Sequence, residues 1–251
     1  RDQPRSRGVG DVYKRQDMLN AVNEQLVWDL QKATENVMND DSVKVVILTG
    51  AGRGFSAGAD LSERKASWSG SKDALIRGYK PSFENIINMP KPVIASVPGP
   101  AAGIGAALAM SCDLRVMSED SYLLSVFSNI ALVPDGGLSW FLPKFMGYAK
   151  AYEHAIEAKK ILASDCLKYG IANKVVPSDQ LEQITLDWAN QLAKRSSQSL
   201  NHTKRLMRES LAMSYWDTFS NEAEIQNELT VSDQNREAVK AFLEKREPNF
   251  D

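Results

Sequence analysis

Two strand-to-glycine junctions constrain what this chain of 251 residues can fold into more than any other feature. In the longer one, spanning residues 91–140, the buried-strand pattern Val93, Ile94, Ala95, Val97 enters a Pro/Gly turn. An Ala/Gly-rich helix start follows at Gly103-Ile104-Gly105, and further on comes a second turn, Pro134-Asp135-Gly136-Gly137. In the shorter one, VKVVILTG (residues 43–50) is followed by AGRGFSAGADLSE (residues 51–63). Small residues let backbone amides approach a ligand closely. A helix beginning at Gly103 leaves its first N–H groups without intrahelical partners, free to point at developing negative charge. Two such turns can supply two donors to one oxygen, although the Gly-Ile-Gly turn alone also fits close packing.

Strand and helix alternate around these junctions. Residues 23–38 carry Leu26, Val27, Leu30, Ala33 and Val37 at helical spacing, and Asn39-Asp40-Asp41 ends the run. Residues 43–49 read as a buried strand. The charged segment 61–71 reads either as a mobile lid over a ligand or as an ordinary surface loop. A helix over 73–88 stops at Met89-Pro90, and strands follow at 92–97, 114–117, 122–124 and 173–176, with a helix over 134–145. This alternation argues for an α/β fold. The pattern alone leaves a doubly wound sheet and a spiral of ββα turns both open. After Pro177 the strand signal stops and helical stretches at 181–195, 200–213, 218–229 and 235–244 take over. The chain thus divides into a core over residues 17–180 and a helical region over 181–251. Residues 1–16 carry neither pattern, and their DVYKRQ is what one reading frame of a transposon end used in sequencing libraries encodes. That segment is read as adapter-derived and left out of the fold.

Composition sets the class. With 43% hydrophobic residues the chain can bury a sizeable core. Its 30 basic and 32 acidic residues give a formal charge of −2, which offers no global field for nucleic acid or an anionic membrane. Any anionic ligand must be met locally. Cys112 and Cys166 lack metal-ligand spacing and read as two free thiols of a reducing compartment. No apolar run approaches the roughly 18 residues of a membrane span and no signal peptide is evident, so a cytoplasmic protein is expected. No His/Cys/Asp cluster asks for a metal, and the Gly-x-Gly turn lacks the further glycine and acidic residue of a dinucleotide site. His154 and His202 fall on helical stretches outside the turns, which leaves a Ser-His-Asp arrangement unsupported.

FSAGADL (residues 55–61) and KPVIASVPGPAAGIGAALAMSCDLRV (residues 91–116) together resemble the two signature segments of the crotonase superfamily, the enoyl-CoA hydratase/isomerase family. The resemblance extends from about Leu19 to the C-terminus. It implies a ββα spiral core with a C-terminal helical region that covers the active site and builds trimers or dimers of trimers. It implies an acyl-CoA thioester as substrate and no separate cofactor. It also implies that the first strands of the spiral, a hairpin before an Asn-Ala dipeptide, are missing where only Asn20-Ala21 remains.

In such a site, proton abstraction from a thioester or attack on it places negative charge on the thioester oxygen. By position in the family pattern, the N–H groups of Ala59 and Ile104 would hold that charge. Losing one such donor typically costs about 2.7–4 kcal/mol. The resemblance assigns Ala57, Gly58, Asp60, Leu61, Gly103 and Gly105 to the substrate-facing turns, while apolar Phe127 and Trp140 fit an apolar or aromatic substrate pocket or, at least as well, core packing. Phe242 and Lys245, in FLEKREPNF (residues 242–250), would meet the CoA adenine or phosphates, sometimes from a neighbouring subunit; a solvated helix end fits them equally. Leu123, Leu124, Val126 and Ile130 fit an apolar pocket or core packing.

The two glutamates with which hydratases of the family add water read Ala107 and Phe127 here, and neither can transfer a proton. One carboxylate remains, Asp135, in LVPDGGLSWFLPKFMG (residues 132–147). This segment resembles the epoxyphenylacetyl-CoA isomerase branch and the Δ3,Δ2-enoyl-CoA isomerases. Asp135 is the expected base and acid of an isomerisation. An Asp before two glycines at a helix start is also a common N-cap. A lowered or ordinary acidity would suit a base, whereas apolar neighbours such as Val133 and Trp140 would raise its pKa, and the sequence leaves both open. Glu63 is placed to approach the substrate but reads better as a solvated loop carboxylate. Three readings follow: an enoyl-CoA isomerase; a dehalogenase or thioesterase in which the same Asp attacks; and a catalytically weak acyl-CoA-binding protein, suggested by the missing glutamates and the bulky Ile104.

Overall fold

The structure is a computed structural model that describes residues 18–63 and 67–250. The expectations of an adapter-derived segment and a missing hairpin fall outside the described residues. Helix α1 (Glu24–Asn39) starts where Asn23 caps it, its side chain accepting the Leu26 N–H at 3.1 Å. Strand β1 (Val46–Thr49) follows. Short α2 (Ser71–Asp73) then passes through a π-helical turn (Ala74–Tyr79) into α3 (Lys80–Asn88), where the sequence predicts one uninterrupted helix.

The central segment alternates between two sheets. Strand β2 (Val93–Val97) is followed by β3 (Ala101–Ala102), α4 (Ile104–Ser111), β4 (Leu114–Ser118) and β5 (Tyr122–Leu124). Then come α5 (Leu138–Met146), α6 (Tyr148–Ile156), β6 (Lys160–Leu162), α7 (Ala163–Lys168) and β7 (Lys174–Val176). The first sheet is wholly parallel in the order β1-β2-β4-β7, with Val46 opposite Val93 and Ile94 opposite Leu114. The second has the order β3-β5-β6, with β3 parallel and β6 antiparallel to β5. Parallel bridges between Val22 and Ala59 and between Ser56 and Ala101 extend this second layer upstream. The turns that begin with β1, β2 and β4 each lay one strand in the first sheet and one short segment in the second, followed by helices; the last turn runs from β6 in the second sheet through α7 to β7 in the first. This is the ββα spiral that the alternation alone left undecided.

The VIASV run of β2 is buried on both faces, as a central parallel strand should be. Val93, Ala95 and Val97 face Ile86 of α3 and Met110 of α4 in the main core. Ile94 and Val116 face the other way, against Leu181 and Ala189 of α8 (Leu181–Ala193). Three further helices complete the C-terminal region: α9 (Ser197–Glu209), α10 (Tyr215–Thr230) and α11 (Asp233–Glu244). Helix α9 is tied to the core by Asp113, whose carboxylate meets Lys204 at 2.8 Å and Arg208 at 2.7 Å. None of the described helices is long and apolar enough to cross a membrane.

Candidate active site

The two small-residue turns touch. Ser56 donates its N–H to Pro100 at 3.1 Å and accepts the Ala102 N–H at 2.8 Å, which brings the 55–59 segment alongside 100–104. Gly58 (φ +95°) and Gly103 (φ +53°) occupy the left-handed half of backbone space, and a Cβ on Gly58 would stand 2.9 Å from the Ala102 carbonyl oxygen. Only glycine permits that approach. Gly103 donates its N–H to Leu124 at 2.9 Å, whereas the N–H groups of Ala59 and Ile104 have no acceptor among the described residues. Ile104 is the first residue of α4, so its donor is one that a helix start leaves free.

The third turn rests on the same helix. Gly136 (φ +58°) sits where a Cβ would meet the Ala107 Cβ at 2.6 Å and the Ile104 Cδ1 at 2.7 Å, which fixes Asp135 beside the first turn of α4. The predicted helix start at Pro134 is corrected here. Gly136 and Gly137 both take positive φ, and α5 begins only at Leu138 with Gly137 as its cap. Asp135 is therefore no side-chain cap; only its backbone carbonyl serves the helix, accepting the Leu138 N–H at 3.1 Å. The carboxylate Oδ1 is buried without a hydrogen-bond partner, and burial pushes the pKa of Asp135 up to about 6. An unsatisfied buried oxygen costs stability, and a carboxyl perturbed by its cavity marks a candidate reaction centre. Asp135 opens on a cleft of about 750 Å³ whose walls are apolar side chains of α3 and α5, among them Phe83, Trp140 and Phe141.

With this geometry, the comparison with known proteins is direct: the profile of the family described as Enoyl-CoA hydratase/isomerase matches residues 7–251. The chain belongs to this family. The 1,2-epoxyphenylacetyl-CoA isomerase of Escherichia coli is 32% identical over 243 residues, covering 95% of this chain and 93% of the relative. The short-chain-enoyl-CoA hydratase of Clostridium acetobutylicum is 30% identical over 238 residues, covering 94% and 90%. A crystal structure of an enoyl-CoA hydratase from Bacillus anthracis superposes with a TM-score of 0.87 at 27% identity, covering 94% of this chain and 92% of that one. Relatives of this family member thus include both hydratases and isomerases.

The structure separates the positions that the sequence grouped. Ala107 and Phe127, where the hydratase glutamates would stand, are buried in the core. Val126 and Phe127 pack beneath Gly103, Leu123 joins the core, and Ile130 is exposed. Trp140 lines the cleft at 48% exposure, edge-on to Phe141 at 5.0 Å and with the Lys144 ammonium 4.5 Å from its ring centre. Gly105 is buried against Ser56, while Ala57, Ala59 and Leu61 are exposed. Asp60 turns its Oδ1 to the Ser62 N–H (2.9 Å) and hydroxyl (2.6 Å) of its own loop. Phe242, at 82% exposure, and Lys245 at the end of α11 do not line the cleft of their own chain. The cleft wall drawn from Leu75, Tyr79 and Phe83 was missed, although its i, i+4, i+8 spacing was a readable stripe.

Glu63 is not a solvated carboxylate. It accepts the Glu24 N–H at 2.9 Å, at the positive end of α1. Glu24 in turn accepts the Ser67 N–H at 2.7 Å and the Trp28 indole N–H at 3.2 Å, and Trp68 packs on Trp28 with ring centres 5.3 Å apart. Both flanks of the segment read as a lid are thus fastened to α1; residues 64–66 between them fall outside the described residues. Cys112 and Cys166 are free and buried, and burial pushes both thiols up to about 12. His154 and His202 stay away from the cleft. Among the described residues, no group of three or more His, Cys, Asp or Glu side chains could hold a metal ion.

Proposed function

We propose that this family member is an enoyl-CoA isomerase that moves a double bond along the acyl group of a thioester. The observation that carries this reading is Asp135, a half-buried carboxylate whose buried Oδ1 has no partner, at a cleft beside the helix start, in a chain whose two hydratase positions are Ala107 and Phe127. Adding water across a double bond takes two proton-transfer groups. Moving a proton along one face takes one. Asp135 removes a C2 proton from a 3-enoyl thioester; the freed pair forms the C1–C2 double bond and drives the carbonyl pair onto the thioester oxygen, giving a dienolate whose collapse shifts the double bond to C2–C3 as C4 takes up a proton. The protonated Asp135 then returns the proton to C4, leaving a 2-enoyl thioester. The dienolate oxygen is held by the N–H groups of Ala59 and Ile104, fixed donors that need no reorganisation. A pKa of about 6 lets one group both accept and release the proton near neutral pH.

The test is incubation with trans-3-hexenoyl-CoA, followed through the absorbance of the conjugated 2-enoyl thioester. Conversion is the expected result. Halide release from an aryl-halide thioester, or release of free CoA, would instead make Asp135 a nucleophile, and binding without turnover would leave a binding protein.

We infer that the chain acts as a cytoplasmic homo-oligomer, a trimer or dimer of trimers. The buried free thiols fit a reducing compartment. Tyr215, Trp216 and Phe219 form one aromatic cluster on α10, and Trp216 is 72% exposed, a patch that water leaves costly. Light scattering should give a multiple of the chain mass that falls in the Trp216→Glu variant. An unchanged assembly would move the interface elsewhere.

A further inference from the structure

Most polar side chains of the cleft are already engaged. Lys80 and Glu84 pair with each other at 3.1 Å, and Arg208 holds Asp113 at 2.7 Å. Asp135, Tyr79 and the indole N–H of the half-exposed Trp140 remain, and of the two donors Tyr79 is the more buried. Tyr79 closes the π-helical turn, a widening that shifts the side-chain register of the helix and recurs at functional sites. The preceding Gly78 lies against Trp68, where a Cβ would come within 2.8 Å of the indole, so the turn is seated tightly with Tyr79 on the cleft wall near Phe83. The Tyr79 hydroxyl has no hydrogen-bond partner among the described residues, Asp135 included. Burial, with the charges of Asp135 and Glu63, pushes it up to about 12, so it remains a protonated donor at any working pH. A donor and an acceptor that open on one apolar cleft without bonding each other are both left for a ligand.

We propose that Tyr79 is a specificity-determining residue that donates a hydrogen bond to an oxygen in the acyl group, so that the cleft selects acyl thioesters with an ether, carbonyl or hydroxyl oxygen along the chain. The proposal rests on the reading of this cleft as the acyl site of a thioester isomerase. Asp135 works on the C–H bond and Tyr79 meets the oxygen. A plain hydrocarbon chain would cover the phenol and leave it unpaired, so such a ligand binds and is turned over, but about tenfold less favourably than one whose oxygen meets Tyr79.

Calorimetric titration tests this with heptanoyl-CoA and its isosteres 5-oxaheptanoyl-CoA and 6-oxaheptanoyl-CoA, on the wild-type protein and the Tyr79→Phe variant. The probes are saturated, so the readout does not depend on proton transfer by Asp135. Tyr79→Phe is expected to weaken at least one oxygen-containing chain about tenfold and to leave heptanoyl-CoA unchanged or tighter. Equal changes for all three ligands, or no change for any, would overturn the proposal. Failure of all three to bind the wild type would overturn it together with the acyl-site reading. Oxygen-selective binding in a protein inert both to 3-hexenoyl-CoA and to a 3-enoyl-CoA with an ether oxygen further along its chain would sink the isomerase reading alone.

Discussion

Asp135→Asn is expected to lower kcat/KM for a 3-enoyl thioester by at least about a hundredfold, in line with removal of a positioned general base. The amide keeps the shape of the side chain but cannot take a proton, and neither Ala107 nor Phe127 can replace it. The wild-type pH profile should carry the same signature. A base must be ionised in the free enzyme, so kcat/KM should rise with pH through about 6 and level above it, the position that burial sets. A rate that ignores pH between 5 and 8 would remove Asp135 from the chemistry. Stability should move the other way. The folded pKa is raised above the ordinary 3.8, so the folded state binds more protons than the unfolded state between these values, and stability falls as pH rises through this window. Asp135→Asn should therefore be more stable than wild type at pH 8 by about 1–2 kcal/mol, a figure kept low because the carboxylate is still partly wetted. The two should be equal near pH 3. A variant that is slower yet more stable is what a strained reaction centre gives.

The parts of this molecule that were legible in the sequence are those written in small residues and simple periods. The helix over residues 23–38, the VIASV strand and the helix start at Gly103 each follow from local rules, and the structure places them within a residue or two. What was lost depends on partners distant in sequence. Pro134-Asp135-Gly136-Gly137 reads locally as a capped helix start; the chain instead spends two left-handed glycines because Gly136 must pass within reach of Ala107 and Ile104. The π-helical turn has no local code either, since its seat is the contact of Gly78 with Trp68. Strands β3 and β6 are two and three residues long, too short for a period-2 signal, and are held by register against β5. Glu63 looked solvated because its partner, the Glu24 N–H, lies 39 residues upstream.

Asp113→Ala should be strongly destabilising, by about 2–4 kcal/mol, a little under the usual cost of removing one partner from a fully buried charge cluster because Asp113 and Arg208 stay partly exposed. Asp113 ends the turn from α4 to β4 and serves three donors: Lys204 at 2.8 Å, Arg208 at 2.7 Å and the Val93 N–H at 2.9 Å. The Lys204 side chain is only 8% exposed and also donates to the carbonyls of Ile86 (2.9 Å) and Lys91 (3.0 Å). Without the carboxylate, two cations of α9 face carbonyls alone. Burial already holds the Lys204 ammonium below its ordinary pKa, with Asp113 opposing the shift, and the variant loses that opposition. A lysine with a depressed folded pKa penalises the fold while it is charged, and the penalty fades as pH rises from the folded pKa towards the unfolded one. The deficit of Asp113→Ala, read from urea midpoints, should accordingly be largest near neutral pH and shrink in alkali. A deficit independent of pH would mean that lost packing, and not the stranded lysine, sets the cost. Because Arg208 also lines the cleft beside Trp140, loosening α9 should raise KM for the thioester more than it lowers kcat. Replacing Asp113, Lys204 and Arg208 together by apolar residues should recover much of the lost stability, since no buried charge is then left without its partner.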